Sequence, residues 1–422
     1  MGLKFQPNTG RAALMYTAYE LGHAMLQPYR GWVSALDKTV NHPASPFASM
    51  PGNRAMQASL RIVDELTKRY AKPEFEIPTV RINAVDVPIA EQVVEKRPFC
   101  RLLRFAKVGP SAPTNQPRVL IVTPMSGHFA TLLRGTVRAM LPDNDVYITD
   151  WLDARSVPMY QGAFDLEDYV DYLRDFIKLL GPELHVLGVC QPSVPALVAT
   201  ALVAQESPKS VPRSLTLMAG PIDVSQNPTA VNDYANAHSI DWFRGNVITY
   251  VPFPHMGALR AVYPGFLQLA GFMGMNAESH MEAYRGYFDK LVEGDADSTQ
   301  QHRRFYDEYL SVMDVTAEYF LQTIDVIFQR RALAQGTYTH RGQRVDCASI
   351  RDMVLMTVEG ERDDICGLGQ TEAAHALCSS LTDEQRYHYV QPGVGHYGVF
   401  NGARWRTEIQ PRIQEMIRTT SA

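Results

Sequence analysis

Apolar residues change their spacing twice along this chain. Up to about residue 75, Met15, Leu21, Met25, Trp32 and Leu36 recur at helical intervals, which predicts amphipathic helices. A Pro/Ser/Gly-rich loop, NHPASPFASMPGN, interrupts them, and RAMQASLRIVDELTKRYAKP predicts a second helix stopped by Pro73. Residues 1–97 are therefore expected to form an N-terminal helical extension. From about residue 98 short apolar runs take over: RLLRFAKV, PRVLIVTPMSG, DVYITDW, LHVLGV and SLTLMAG. Helical stretches separate the later runs. GHFATLLRGTVRAML is one. LEDYVDYLRDFIKLLG is another, with Leu166, Tyr169, Val170, Leu173, Phe176, Ile177 and Leu180 on one face and Gly181 as its C-cap. Apolar strands alternating with helices predict the α/β class, a mostly parallel sheet with helices on both faces.

The alternation stops near Pro221. Residues 222–340 are rich in aromatics, Met and Gly, then in helices, and strands return with DMVLMTVEG and RYHYVQPG. This pattern predicts a core of residues 98–221 and 341–422 with a cap inserted at 222–340. The cap aromatics Trp242, Phe243, Tyr250, Phe253, Tyr263, Phe266 and Phe272 are candidates for contacting an apolar substrate, against the plainer reading that they form the insertion's own core.

Composition narrows the function classes. The chain has 422 residues, 45% hydrophobic and 20% charged, with a net charge of −5 and no long basic run, so nucleic acid is not an expected partner. No apolar run approaches the roughly 18 residues that span a bilayer. The first residues lack a signal-peptide pattern, and Gln6 argues against myristoylation of the MG start. Cys100, Cys190, Cys347, Cys366 and Cys378 are odd in number and widely spaced, which favours a reducing cytoplasm over a disulfide framework or a zinc site.

One cysteine stands apart. Gly188-Val-Cys190-Gln-Pro192 joins an apolar strand to an apolar helix in the form of a nucleophile elbow, with Gly188 giving the tight turn room and Pro192 starting the helix. A carboxylate follows a late strand in Glu361-Arg-Asp363-Asp364, and a histidine lies between glycines in Gly395-His396-Tyr397-Gly398. Asp363 is preferred to Asp364 because it comes three residues after the glycine that ends the strand. Nucleophile, acid and base in that order is the α/β-hydrolase order. His396 would deprotonate Cys190 for attack on an ester carbonyl, and Asp363 would hold the imidazole. The backbone N–H of Gln191, with that of Met125 or Ser126, would bind the oxyanion. A helix N-terminus and His396 favour a thiolate, whereas the apolar walls of a capped cleft favour a neutral thiol, and the neutral thiol is the expectation.

Over nearly its whole length the chain resembles the intracellular poly(3-hydroxybutyrate) depolymerases, bacterial enzymes that mobilise stored polyester. The resemblance rests on ASPFASMPGNR, YAKPEF, TPMSGHFATLLRGTV, GVCQPSVPALVA, TVEGERDDICGLGQT and QPGVGHYGVFNG. It implies an α/β-hydrolase fold and a Cys–Asp–His triad at Cys190, Asp363 and His396. It also implies hydrolysis of amorphous polyhydroxyalkanoate at the granule surface in the cytoplasm, with no metal and no cofactor. Three alternatives remain: thiolysis with CoA as acyl acceptor, a polyhydroxyalkanoate synthase (which typically has glycine where this chain has Pro192), and a granule-binding protein without activity.

Overall fold

The computed structural model describes residues 11–42, 52–275 and 277–421. Gln6 and most of the predicted Pro/Ser/Gly loop lie outside them. Two helices open the described chain, α1 (Arg11–Asn41) and α2 (Asn53–Thr67). The second ends well before Pro73, with Lys68 already extended. The seven strands that follow are β1 (Thr79–Ile82), β2 (Val85–Lys96), β3 (Cys100–Lys107), β4 (Arg118–Val122), β5 (Asp145–Trp151), β6 (Leu184–Val189) and β7 (Ser214–Met218). Helices α3 (Arg134–Met140), α4 (Leu166–Leu180) and α5 (Ser193–Glu206) connect β4 to β7.

The chain then leaves the sheet. It forms α6 (Ala230–Ala237), α7 (Ile240–Asn246), β8 (Thr249–Tyr250), β9 (Ala261–Tyr263), α8 (Gly265–Met275), α9 (Ala277–Glu293), α10 (Ala296–Tyr309), β10 (Val315–Thr316) and α11 (Ala317–Gln322). A hairpin of β11 (Thr339–His340) and β12 (Gln343–Arg344) leads back to β13 (Val354–Gly360) and β14 (Arg386–Gln391). Residues 219–353 thus separate β7 from β13, and Val345, Cys347, Ile350 and Met353 at the end of this stretch pack in the main core.

The main sheet has the order β1-β2-β3-β5-β4-β6-β7-β13-β14. Every pair from β5 to β14 is parallel, and β1, β2 and β3 are antiparallel to their neighbours. Setting aside β1, this is the strand order of the α/β-hydrolase fold. Both faces are covered, so the central strands are apolar throughout. In β4, Leu120 and Val122 pack on the face that carries α4 and α5, and Val119 and Ile121 pack on the face that carries α3 and the C-terminal helix. The seven residues expected on the buried face of α4 are all buried there, between an Asp165/Asp168 capping box and Gly181 at the C-cap.

Two expectations change. The sheet begins at Thr79 rather than near 98, because residues 79–96 form an edge hairpin. Most of its side chains are exposed or half-exposed, so it lacks the continuous apolar run that marks the central strands. In α1 the residues chosen by spacing are not the buried ones. Leu21 (59% exposed), Met25 (79%) and Trp32 (61%) face outward, while Tyr16, Val33 and Val40 are buried.

The insertion is tied to the core at several points. Met313 N–H donates to the Gly127 carbonyl at 2.7 Å and Ala154 N–H to the Asp314 carbonyl at 3.0 Å. The buried Arg260 side chain donates to the carbonyls of Val157, Pro158 and Gly162. Tyr16 of α1 donates to the Asp314 carboxylate.

Candidate active site

Cys190 is the residue between β6 and α5, and its backbone is left-handed, with φ of 67°. For a residue with a Cβ that conformation costs about 1–2 kcal/mol. It is held by Cys190 N–H donating to the Met218 carbonyl at 2.7 Å and by Ser193 N–H donating to the Cys190 carbonyl at 3.0 Å. The demand for a missing side chain falls on Gly220 rather than Gly188. A Cβ on Gly188 would meet Ala196, Leu217 and Ser193 at 3.4 Å, ordinary contact, whereas a Cβ on Gly220 would fall 2.0 Å from Ser193 Oγ. Pro192 has helical angles immediately before Ser193, where its missing N–H costs no hydrogen bond.

The loop after β4 passes beside this turn. Thr123 anchors its start through hydrogen bonds with Thr149. Trp151 Nε1 and the Tyr169 hydroxyl both donate to the Thr123 carbonyl at 3.0 Å. Gly127 ends the loop with φ of 103°, and a Cβ there would meet the Gln268 side chain at 2.9 Å. His128 Nε2 donates to the Tyr309 carbonyl of α10 at 3.1 Å, and burial lowers its pKa to about 4, so it is neutral. Between these anchors lie Met125 and Ser126.

His396 begins a short turn after β14 and is buried, as is the Asp363 side chain. Its Nδ1 donates to Asp363 Oδ2 at 2.8 Å. Asp363 Oδ1 also accepts from the N–H groups of Ile365 (2.9 Å) and Cys366 (2.8 Å), which fixes the carboxylate. Asp364 is exposed, and it is Asp363 that bonds to the histidine. Burial opposes a charge on His396, but Cys190 and Asp363 outweigh it and raise its pKa well above the ordinary value. The other four cysteines are buried and, like Cys190, unbridged.

The predicted cap aromatics do not form one lining. Phe243 is fully buried in a separate core of the insertion, and Trp242 stacks on His238 at 3.8 Å. Phe266 stacks on Tyr19 of α1 at 4.0 Å, under the extension. Tyr263 packs on Phe320 at 4.1 Å, Tyr250 ends the short strand β8, and Phe253 is 76% exposed. Phe272 packs against His128, 5.7 Å between ring centres, and so adjoins the loop after β4. Residues not singled out from the sequence approach the site more closely. Tyr397 and Tyr319 both interact electrostatically with Cys190, and Tyr397 also packs against Tyr309. A buried tyrosine on an apolar helix face has the signature of core packing, so the sequence held no signal for Tyr319.

Among the described residues one His/carboxylate grouping could present ligands to a cation: Glu359, Glu372 and His388. Glu359 already accepts three backbone N–H groups, from Gly369, Thr371 and Glu372, which is the work of a structural clamp on the loop after Asp363.

Strand order, a left-handed residue after β6, and a buried His–Asp pair on the loops after β13 and β14 define an α/β-hydrolase fold. Residues 219–421 match the family described as PHB de-polymerase C-terminus. The match begins directly after β7 and takes in the insertion, Asp363 and His396, but not Cys190. No curated protein matches the chain. Solved structures are similar to this chain at low identity. A thermophilic esterase from Thermogutta terrifontis is 13% identical, covers 84% of this chain and 100% of its own, and has a TM-score of 0.40. A monoacylglycerol lipase from Paleococcus ferrophilus is 12% identical, covers 72% of this chain and 96% of its own, and has a TM-score of 0.40.

Proposed function

We propose that the protein is a granule-associated poly(3-hydroxybutyrate) depolymerase, a carboxylic ester hydrolase working through Cys190. The observation that carries the reading is the left-handed Cys190 at the head of α5 together with the buried His396–Asp363 pair, in a chain whose residues 219–421 match the polymer-depolymerase family. Cys190 and His396 share one proton, which sits on His396 Nε2 as sulfur attacks the ester carbonyl. The oxyanion is bound by the N–H of Gln191 and that of Met125 or Ser126. The imidazolium then protonates the departing alkoxide, leaving a thioester on Cys190. Water, deprotonated by His396, attacks the thioester and releases the hydroxyacid. Asp363 keeps the histidine tautomer fixed and offsets its positive charge.

Polymer contact is supported by apolar surface outside the cleft. Leu21, Met25, Tyr29 and Trp32 are exposed on α1. A groove of about 910 Å³ between α2, α8 and α9 is lined by Ile62, Leu66, Met273, Met281 and Phe288 among others. Exposed apolar patches of this kind mark sites that bind something apolar.

The test is incubation with amorphous polymer granules, with and without CoA. Soluble hydroxybutyrate or its oligomers, formed without CoA and absent in Cys190→Ala, are expected. Acyl-CoA appearing only with CoA would replace hydrolysis by thiolysis. Polymer made from hydroxybutyryl-CoA would identify a synthase, and no turnover at all would leave a granule-binding protein.

A further inference from the structure

Three aromatic rings stack behind the nucleophile. Trp151 and Tyr169 lie 4.1 Å apart, and Tyr169 and Tyr319 lie 5.5 Å apart at 21°. The first two place their polar ends on one acceptor, the Thr123 carbonyl. The third does not. Tyr319 is 1% exposed, yet its hydroxyl has no hydrogen-bond partner. The same holds for two neighbouring atoms, Gln191 Oε1 and the hydroxyl of the buried Thr323. Tyr319 interacts with both of these side chains and with Cys190, but in geometries that fall short of hydrogen bonds. Buried polar atoms are nearly always paired, so three unpaired ones grouped beside a nucleophile call for an occupant. Thr323 also opens a widened π-type turn that continues α11 to Gln329, a distortion frequent at functional sites.

We propose that Tyr319, Thr323 and Gln191 form a subsite for the 3-hydroxyl of the acyl unit carried by Cys190. The inference rests on the ester-hydrolase reading above and names which part of the polymer the cleft selects. Burial keeps the Tyr319 phenol protonated, so it is a donor, and Gln191 Oε1 is an acceptor only. Thr323 can act either way. A hydroxyl satisfies this set fully: it accepts from Tyr319 and donates to Gln191. In a polyester chain only the unit at the hydroxyl end carries a free 3-hydroxyl. In every internal unit that oxygen is an ester oxygen without a proton, and Gln191 Oε1 is left unsatisfied. Cleavage therefore proceeds from the hydroxyl end and releases one hydroxyacid per turnover.

The experiment compares kcat/KM for three 4-nitrophenyl esters: 3-hydroxybutyrate, 3-acetoxybutyrate and butyrate. The wild type should favour the hydroxy ester over both others by roughly 10- to 100-fold, the penalty for a buried polar group left unpaired. Tyr319→Phe, which removes only the hydroxyl, should bring the hydroxy-to-butyrate ratio towards one, and Thr323→Val should narrow it. A wild-type ratio near one, or a ratio unchanged in both variants, overturns the subsite. Should Tyr319→Phe fail to fold, the wild-type ratio and Thr323→Val decide the matter. Cys190→Ala separates the two levels. If that variant still hydrolyses all three esters, the ester-hydrolase reading fails. If it is inert while the wild-type ratio is flat, only the subsite fails.

Discussion

Gly220, just past β7, and Ser193, the first residue of α5, are so close that a Cβ on the glycine would lie 2.0 Å from Ser193 Oγ and 3.0 Å from the Cys190 carbonyl oxygen. The sharp turn at Cys190 thus depends on a missing side chain on the adjacent connection, thirty residues further along the chain.

Gly220→Ala should therefore strain the turn itself. Overpacking of this kind costs about 1–3 kcal/mol, read as a lower urea midpoint, together with loss of esterase turnover. Adding Ser193→Gly should restore part of both. A fully active, fully stable Gly220→Ala protein would show that the close approach is not needed.

Asp363→Asn should lower kcat by orders of magnitude, because an amide cannot offset the imidazolium or fix its tautomer. Asp364→Asn should have a much smaller effect, since that side chain is exposed and Asp363 makes the bond to His396. Steady-state kinetics on a soluble ester decides it, and the reverse order would move the acid by one residue.

The charge on the pair is open to titration. With its pKa raised, His396 stays protonated as pH climbs past the ordinary histidine range of about 6.5, and loses its charge only at higher pH. An NMR titration of the His396 imidazole should therefore show it losing its proton above that range, and Asp363→Asn should bring the transition down, because the carboxylate is one of the groups that favour the charge. An imidazole that titrates near about 6.5 in both proteins would show that Asp363 does not hold the charge.

The cap aromatics should divide by what they touch. Phe243→Ala empties a buried position and should cost about 3–5 kcal/mol of stability, with substrate preference unchanged. Phe272→Ala, beside His128, should raise KM for a soluble ester with a smaller loss of stability. Equal effects of the two changes on KM would reject this division.

Much of this protein follows from local pattern. Buried parallel strands are apolar throughout and α4 is amphipathic with clear caps, so the core strands from Cys100 onward and their helices were legible residue by residue. The positions of Cys190, Asp363 and His396 were legible as well, because each follows a strand at a loop whose glycines and carboxylates stand out. What the sequence hid depends on neighbours distant in the chain. The edge hairpin of β1 and β2 buries little and has no strong apolar signature. The exposed face of α1 could not be told from its buried one, because burial was decided by what the rest of the fold offered as a partner: Tyr16 found Asp314, and Trp32 found solvent. The small-residue requirement moved from Gly188 to Gly220 because it arises between a turn and a neighbouring strand end. The cap aromatics share a composition but not a location. Tyr319 looks like any core tyrosine until packing sets its hydroxyl beside Cys190 without a partner. Periodicity and turn chemistry are properties of adjacent residues, so the sequence determined them; contact across the fold is a property of the assembled chain, so only the tertiary structure decided it.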